Sequence, residues 1–203
     1  RLSLHSQSLK GNDIMHKPDS TPPIEYLLDY YNKNLSYQED GTFIRTTRTS
    51  NNIKIGDVAG GRSGNDYINI NLGKYNGKSV LFGAHRLAFL IHHGYLPYDV
   101  EHKDLDKSNN RINNLRPSSR SQNNANKPKQ RNNTSGYKGV FWNKQVKKWL
   151  AYTKQYGKQI RIGWFNNKIM AAHAYDAKAL ELFGEFARLN FPPSKDCAKN
   201  ALM

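Results

Sequence analysis

Three residues in one stretch of the chain carry side chains that could act together on a phosphodiester. Glu101 and His102 are adjacent, and Asn123 lies twenty-one residues after His102. Carboxylate and amide oxygens suit a hard divalent cation, and such an ion keeps coordination sites for phosphate oxygens. A neutral imidazole beside them can take a proton from an attacking water. The stretch therefore predicts metal-assisted hydrolysis, with Glu101 and Asn123 as metal ligands and His102 as general base.

The alternative interpretation of the same residues is an ordinary polar hairpin. Each residue taken alone favours that alternative, whereas the joint spacing favours the catalytic site.

Local signals predict the elements that must position these side chains. We expect a strand at residues 100–103, a return strand at 115–117, and a helix that Ser118 or Ser119 caps and that runs to about Asn126. His102 then lies on the first strand, and Asn123 lies about one turn into the helix. Upstream, helices are expected at 24–32 and at 84–93, and turn pairs at residues 40–41 and 76–77 separate short strands.

The spacing around His102 resembles the HNH (ββα-metal) nuclease motif of phage and intron-encoded homing endonucleases. The likeness rests on His102, on Asn114 followed by Leu115, and on Ser121 and Asn123, and it extends upstream over residues 54–70 and 85–97. It implies a site-directed DNA endonuclease in which His102 is the general base and Asn114 holds the loop that presents it. Glu101 and Asn123 would bind one Mg²⁺ or Mn²⁺ ion per site. Glu101 departs from the subgroup, which more often has aspartate there.

The charge distribution indicates a polyanionic partner. The formal net charge is +15, and residues 107–175 contain fifteen Lys and Arg but no Asp or Glu. Because this acid-free stretch also contains all three tryptophans, a folded nucleic-acid-binding surface is favoured over a solvated tail. An anionic membrane surface is the second choice of partner. No apolar run is long enough for a membrane span, and the single Cys197 excludes an internal disulfide or a cysteine-based zinc finger.

The last part of the chain resembles the plant-type ethylene-response-factor (ERF, apetala-class) DNA-binding domain. The likeness covers Tyr137 to Pro192, and it is strongest at residues 139–140, 149, 162–163, 174–176 and 189–192. Strands are expected at 137–142, 148–153 and 159–165, followed by a helix over about 167–183. In that family the three-stranded sheet enters the major groove of DNA.

Strand alternation predicts which side chains of this sheet face its helix and which face outward. The helix-facing set is Trp149, Ala151, Ile160 and Ile162, and Trp164 is also expected in the core. The predicted DNA-binding set is Lys138, Asn143, Lys148, Tyr152, Lys154, Gln159 and Arg161 on the sheet, with Arg120 and Arg86 elsewhere. Arg86 and its neighbour His85 each fit a phosphate contact and a scaffold role equally well. On the helix, the expected apolar stripe is Ile169, Ala172, Ala179, Leu180 and Phe183, with Asp176 projecting to it.

Together these patterns predict an α+β fold in five segments. A small β-rich N-terminal region and an HNH (ββα-metal) module precede a linker, and a three-stranded antiparallel sheet packed on one helix follows. The bounds are 1–36 for an N-terminal segment, 37–126 for the nuclease module with its motif at 99–126, 127–135 for the linker, 136–192 for the ERF-type module, and 193–203 for a tail. Residues 1–14 are interpreted as an expression remnant before a native start at Met15.

The predicted partner is double-stranded DNA, bound by a monomer or a weak homodimer, with no membrane and no small-molecule cofactor. One catalytic centre per chain would nick DNA, so a double-strand break would need dimerisation or sequential cutting. The resemblance places the chain at the DNA in the cytoplasm of a bacterial or phage-infected cell. Two alternatives stay open: a DNA-binding regulator whose HNH module is inactive, and a general RNA- or membrane-binding basic protein.

Overall fold

The computed structural model describes residues 21–193, and these form two units that divide between Ser118 and Ser119. The predicted α+β class is confirmed, since four α-helices alternate with small antiparallel sheets. The expected start at Met15 lies outside the described residues. Within residues 21–193, no helix has the length and apolar character that crossing a bilayer requires.

The first unit begins with a helix and a hairpin. Helix α1 spans Ile24–Asn34 directly after Pro23, and strands β1 (Leu35–Tyr37) and β2 (Phe43–Arg45) pair antiparallel. The chain reverses at the predicted Asp40-Gly41 turn, where Gly41 has a φ of +89°. A positive φ of this kind is accessible to glycine at little cost. The hairpin therefore forms where the local sequence signal places it.

A three-stranded sheet supplies most of the core of the first unit. Its strands are β3 (Gly61–Arg62), β4 (Ile68–Tyr75) and β5 (Lys78–Gly83), with β4 in the centre. The predicted Asn76-Gly77 turn joins β4 to β5, and both turn residues have positive φ. The buried side chains of the two long strands alternate with exposed ones: Ile70 and Leu72 on β4, Val80 and Phe82 on β5.

Helix α2 follows this sheet without a loop and carries the apolar side chains that close the core. It spans Ala84–His93, buries Leu87 to Leu90, and ends at Gly94, whose φ is +76°. The prediction of this helix and of its glycine cap is confirmed. A short antiparallel pair, β6 (Asp99–His102) and β7 (Leu115–Ser118), packs against α2, and a 3-10 turn over Ile112–Asn114 leads into β7.

The second unit begins with helix α3, which spans Arg120–Asn126. Ser119 caps it in a capping box, accepting from the backbone N–H of Gln122 while the Gln122 side chain accepts from the Ser119 N–H. Three antiparallel strands follow in sheet order β10-β9-β8: β8 (Val140–Asn143), β9 (Lys148–Gln155) and β10 (Lys158–Phe165). Helix α4 (Lys168–Phe183) packs on this sheet, as predicted.

The apolar stripe of α4 differs in part from the expected one. Ala172, Ala179 and Phe183 are buried, but Ile169 and Leu180 are exposed, while Ala171 and Tyr175 take core positions. Asp176 is buried and finds its donors locally. Its carboxylate accepts from the backbone N–H groups of Asn190 (2.8 Å) and Phe191 (2.8 Å). These hydrogen bonds satisfy the buried carboxylate and anchor the segment at residues 190–191. They explain why a charged residue lies on the buried face of α4.

The predicted linker at 127–135 lies inside the second unit rather than between the two units. Asn133 donates to the Tyr137 carbonyl at 2.8 Å, and the buried Ser135 donates to the same carbonyl at 2.9 Å. Helix α3 also belongs to the second unit, since the backbone N–H of Arg188 donates to the Ala125 carbonyl. The division between the units thus falls eight residues before the predicted end of the nuclease module, whose bounds remain a prediction.

Candidate active site

The β6–β7 pair holds the two adjacent residues that the sequence singled out. In its register Glu101 lies opposite Arg116, and His102 lies opposite Leu115. Both side chains are buried, Glu101 at 5% exposure and His102 at 3%. Buried ionisable groups require partners, and the structure supplies them from neighbouring residues.

His102 sits in a pocket of aromatic and amide groups. Its Nε2 atom lies 3.1 Å from Oδ1 of Asn110, and its ring centroid lies 5.1 Å from that of His85 and 5.9 Å from that of Tyr67. Burial lowers the pKa of His102 below its usual value, while the Asn110 hydrogen bond and the carboxylates of Asp104 and Asp106 oppose the shift. The lowered pKa favours the neutral imidazole, which is the state a proton acceptor requires.

Asn114 joins the two ends of the loop that follows His102. Its Nδ2 atom donates to Oδ1 of Asp104 at 2.9 Å and to the Asn109 carbonyl at 2.8 Å, and its Oδ1 accepts from the Asp104 backbone N–H at 3.2 Å. Burial raises the pKa of Asp104, but the hydrogen bonds from Asn114 and Asn109 outweigh this and the net shift is downward. Asn114 thus bonds to both Asp104 and Asn109, and its loop-holding role in catalysis stays a prediction.

Glu101 forms a buried ion pair. Nε of Arg116 donates to its Oε1 at 2.6 Å, and Arg116 is only 9% exposed. The sequence analysis did not identify Arg116. Its signal is the register of the β-hairpin, which places position 116 opposite position 101 and so brings opposite charges together.

The residues present fit a hard divalent cation through oxygen donors. A carboxylate has two oxygens and about four acceptor sites, so the bond from Arg116 to Oε1 is compatible with a further ligand role for Glu101. Among residues 21–193 no cluster of three or more His, Cys, Asp or Glu could hold a metal ion. Asn123, the predicted second ligand, lies on α3 in the second unit.

The two arginines predicted to bind DNA outside the sheet differ in their surroundings. Arg86, on α2, is half-buried and donates to the backbone carbonyls of Tyr98 (3.2 Å) and Pro97 (3.4 Å). These contacts match the scaffold role that the sequence left open. Arg120 is exposed at the first position of α3. Neither arrangement tests DNA binding.

The outer face of the second unit's sheet brings together most of the residues predicted to bind DNA. The strand register pairs them across the sheet: Asn143 with Lys148, Tyr152 with Arg161, and Lys154 with Gln159. Lys148, Lys154, Gln159 and Arg161 are exposed, Tyr152 is half-buried, and Asn143 accepts from the backbone N–H groups of Gln145 and Val146 in the β8–β9 turn. We call this set, from Asn143 to Arg161, the outer sheet face.

Lys138 does not point outward as expected. It precedes β8, and its ammonium donates to the carbonyls of Ala125 and Lys127 at the end of α3. Burial, and to a smaller extent the charge of Arg188, lower its pKa to about 8. Residue 138 lies two residues before β8, so strand alternation does not determine where its side chain points.

Trp164 likewise departs from the expected core position. The register of β10 shifts between Arg161 and Gly163, so Trp164 lies opposite Leu150, whereas Phe165 lies opposite Trp149. Such a bulge inserts one residue and exchanges the two faces of the strand beyond it. Trp149 packs against the core cluster of Val140, Ala151, Ala171 and Ala172, as predicted, and Phe165 joins it there.

The residues around His102 that sequence reasoning missed are Asn110, His85 and Tyr67. His85 was considered only as a phosphate contact or scaffold residue. Tyr67 directly precedes β4, His85 lies on α2, and Asn110 lies in the loop before β7. No local sequence period therefore connects the three residues. Their proximity follows from tertiary packing alone.

Comparison with known proteins finds matches to both of the families that the sequence resembles. The family model described as HNH endonuclease matches residues 82–125. An ethylene-responsive transcription factor of Arabidopsis thaliana is 45% identical over 60 residues, which is 29% of this chain and 33% of that protein. A solved structure titled for DNA binding and cleavage by the HNH homing endonuclease I-HmuI is 30% identical, covers 42% of this chain and 47% of its own, and has a TM-score of 0.32.

Both matches cover only part of the related protein. The chain spans about a third of the length of the plant relative and about half of the I-HmuI chain. Both predicted resemblances are confirmed: residues 82–125 match the HNH endonuclease family model, and part of the chain is similar to an ethylene-responsive transcription factor.

Proposed function

We propose that the chain is a metal-dependent, site-directed DNA endonuclease of the HNH type. The observation that carries this proposal is the buried imidazole of His102, inside the segment that matches the HNH endonuclease family. Burial also lowers the pKa of this imidazole, which favours its neutral form. Glu101, next to it in the chain, supplies carboxylate oxygen on the same strand. Asn123 stays the predicted second ligand.

In the proposed reaction His102 acts as general base. A water oxygen attacks phosphorus, His102 takes the proton of that water, and the bond from phosphorus to the 3′ oxygen breaks with its electron pair moving to that oxygen. The leaving oxygen then takes a proton from solvent. A bound Mg²⁺ or Mn²⁺ supplies stabilisation of the negative charge on the leaving oxygen. Asn114 keeps the loop after β6 closed so that the imidazole stays in place.

DNA recognition is assigned to the outer sheet face. It presents three exposed cationic side chains, Lys148, Lys154 and Arg161, and residues 107–175 contain no acid to oppose them. Lysine and arginine neutralise phosphates, whereas Gln159 and Arg161 have the donors and acceptors that read base edges. The plant relative is an ethylene-responsive transcription factor, which supports a DNA-contacting role for the similar part.

A second candidate function is a DNA-binding regulator whose HNH segment does not cut. The buried pair of Glu101 and Arg116 favours it, because a carboxylate already neutralised by a guanidinium attracts a cation less strongly. Incubation of supercoiled plasmid with the full chain and Mg²⁺ or Mn²⁺ distinguishes the two. Nicked or linear product supports the endonuclease, and plasmid that stays intact at every metal concentration supports the regulator.

A further inference from the structure

Asn110 is the residue whose side chain holds the imidazole of His102. It lies eight positions after His102, is 3% exposed, and places Oδ1 3.1 Å from Nε2. It belongs to none of the four positions that the motif analysis assigned. Its burial shows that the amide is part of the packed interior around the base and not a surface group.

This contact determines which ring nitrogen carries the proton. A neutral imidazole has one N–H and one lone pair, and an amide oxygen can only accept. Nε2 therefore donates to Asn110, and Nδ1 carries the lone pair. In general the tautomer of a catalytic histidine is set by the hydrogen bond that its other nitrogen makes.

Asn110 is itself fixed from the opposite side by the β1–β2 hairpin. The hydroxyl of Tyr37, the last residue of β1, donates to the Asn110 carbonyl at 2.8 Å. The ring of Tyr37 packs edge-on against Phe43 of β2, with centroids 5.1 Å apart. The hairpin thus braces the loop through a hydrogen bond as well as through apolar contact.

The turn of that hairpin also approaches the loop closely. A Cβ atom on Gly41 would lie 2.5 Å from the backbone nitrogen of Arg111 and 2.6 Å from the carbonyl carbon of Asn110. Only glycine permits this approach, and its φ of +89° favours glycine independently. The Asn110 backbone is therefore held from two points of one hairpin.

We propose that Asn110 is a positioning residue for His102, braced by the Tyr37 hydroxyl, and that it holds the Nε2–H tautomer so that Nδ1 accepts the proton of the attacking water. The last step rests on the proposed endonuclease function. The tautomer is a property of the protein without DNA and can be measured independently of cleavage.

The test is a long-range ¹H–¹⁵N correlation spectrum of the full chain labelled with ¹⁵N-histidine, recorded at pH 8. The His102 signals are assigned from their absence in His102→Gln. We expect a single Nε2–H tautomer in the wild type and a mixture of the two tautomers in Asn110→Ala. An Nδ1–H tautomer in the wild type, or an unchanged tautomer in Asn110→Ala, would overturn the proposal.

If Asn110→Ala does not fold, Tyr37→Phe still tests the proposal. This variant removes one hydroxyl and leaves the packing of the ring unchanged. Loss of one neutral hydrogen bond corresponds to about 2- to 13-fold, so kcat should fall within that range while KM is unchanged. Tyr95→Phe, on an exposed ring of the same unit, is the matched control with unchanged kcat. Equal kcat in both variants would contradict the bracing role.

The two proposals fail in different ways. If the wild-type chain leaves DNA intact but shows the expected tautomer and its loss in Asn110→Ala, the positioning contact stands and the endonuclease function is wrong. If the chain cleaves DNA and Asn110→Ala alters neither the tautomer nor kcat, the endonuclease stands and the positioning role is wrong.

Discussion

Arg116 and Glu101 face each other across the β6–β7 pair, with Nε and Oε1 2.6 Å apart and both side chains at least nine-tenths buried. Desolvating two charges costs several kcal/mol, and their attraction offsets that cost only while both are present. The pair therefore contributes less to stability than its short distance suggests. Removal of either partner is nevertheless severe.

We expect Arg116→Met to lower the free energy of unfolding by about 3–5 kcal/mol, because it removes the guanidinium that compensates the buried Glu101 carboxylate. Urea unfolding followed by fluorescence measures the change. Arg48→Met is the control: Arg48 is exposed and donates to the Asn51 carbonyl, so its loss should cost less than about 0.5 kcal/mol. Similar values for the two variants would show that the buried pair is not the cause.

His102→Ala should strongly reduce cleavage and spare DNA binding. General-base catalysis typically contributes about 10²–10⁴-fold, so nicking of supercoiled plasmid should fall by that factor. His93→Gln, an exposed histidine at the end of α2, should cut like the wild type. Duplex binding in a gel shift should be equal in all three proteins. Loss of binding together with cutting would mean that His102 acts through the fold instead.

The pH dependence of cleavage follows from the lowered pKa of His102. Burial is the main cause, so the folded imidazole protonates at a lower pH than the unfolded reference of about 6.5. Single-turnover cleavage should rise about tenfold per pH unit below the folded pKa and level off at a lower pH than a histidine with the unperturbed pKa of about 6.5 would give. A plateau reached only well above pH 7 would contradict a neutral buried base.

The same shift predicts the sign of a stability change. Between the two pKa values the unfolded chain binds a proton that the folded chain does not, so stability rises with pH there. The contribution is complete above about pH 6.5 and is lost as pH falls toward the folded pKa. In urea unfolding, His102→Gln should lack this part of the acid destabilisation while retaining the rest.

Signals that lie within a few residues predicted most of the framework. The cap at Ser119, the terminating Gly94 and the Asn76-Gly77 turn each impose a local backbone geometry, and each lies where the sequence placed it. The same holds for adjacent Glu101 and His102 on one strand. These features need no knowledge of distant contacts.

What the sequence could not predict depends on contacts between distant segments or on irregular register. Asn110 is matched to His102 by the fold of a loop, and its own support comes from Tyr37, 73 positions earlier. Trp164 lies on the opposite face of β10 from the predicted one, because a bulge at Arg161–Gly163 interrupts the regular alternation of side chains. Alternation likewise does not apply to Lys138, which lies outside the strand, and its ammonium donates to a carbonyl at the end of α3.

A substitution at Gly139 tests how closely α4 packs on the sheet. Its φ is +73°, and a Cβ atom there would overlap the ring of Tyr175, which is 3% exposed. Gly139→Ala combines backbone strain with overpacking and should cost about 3 kcal/mol or more. Gly157→Ala is the matched control, since its φ is +79° but nothing lies within 4 Å of the added atom. That variant should cost about 1–2 kcal/mol, and equal losses would show that Tyr175 does not restrict the site.

The outer sheet face makes a prediction about salt and specificity. If about 6–10 phosphates are neutralised, DNA affinity should fall about 10³–10⁵-fold between 50 and 200 mM salt. Arg161→Ala should weaken binding and reduce the salt slope by about one phosphate, because Arg161 is exposed opposite Tyr152 on that face. Lys178→Ala, on α4 and paired with Glu181, removes an equal charge away from the face and should leave the slope unchanged. Fluorescence anisotropy with labelled duplex across the salt series measures both, and equal slopes for the two variants would place the DNA on another surface.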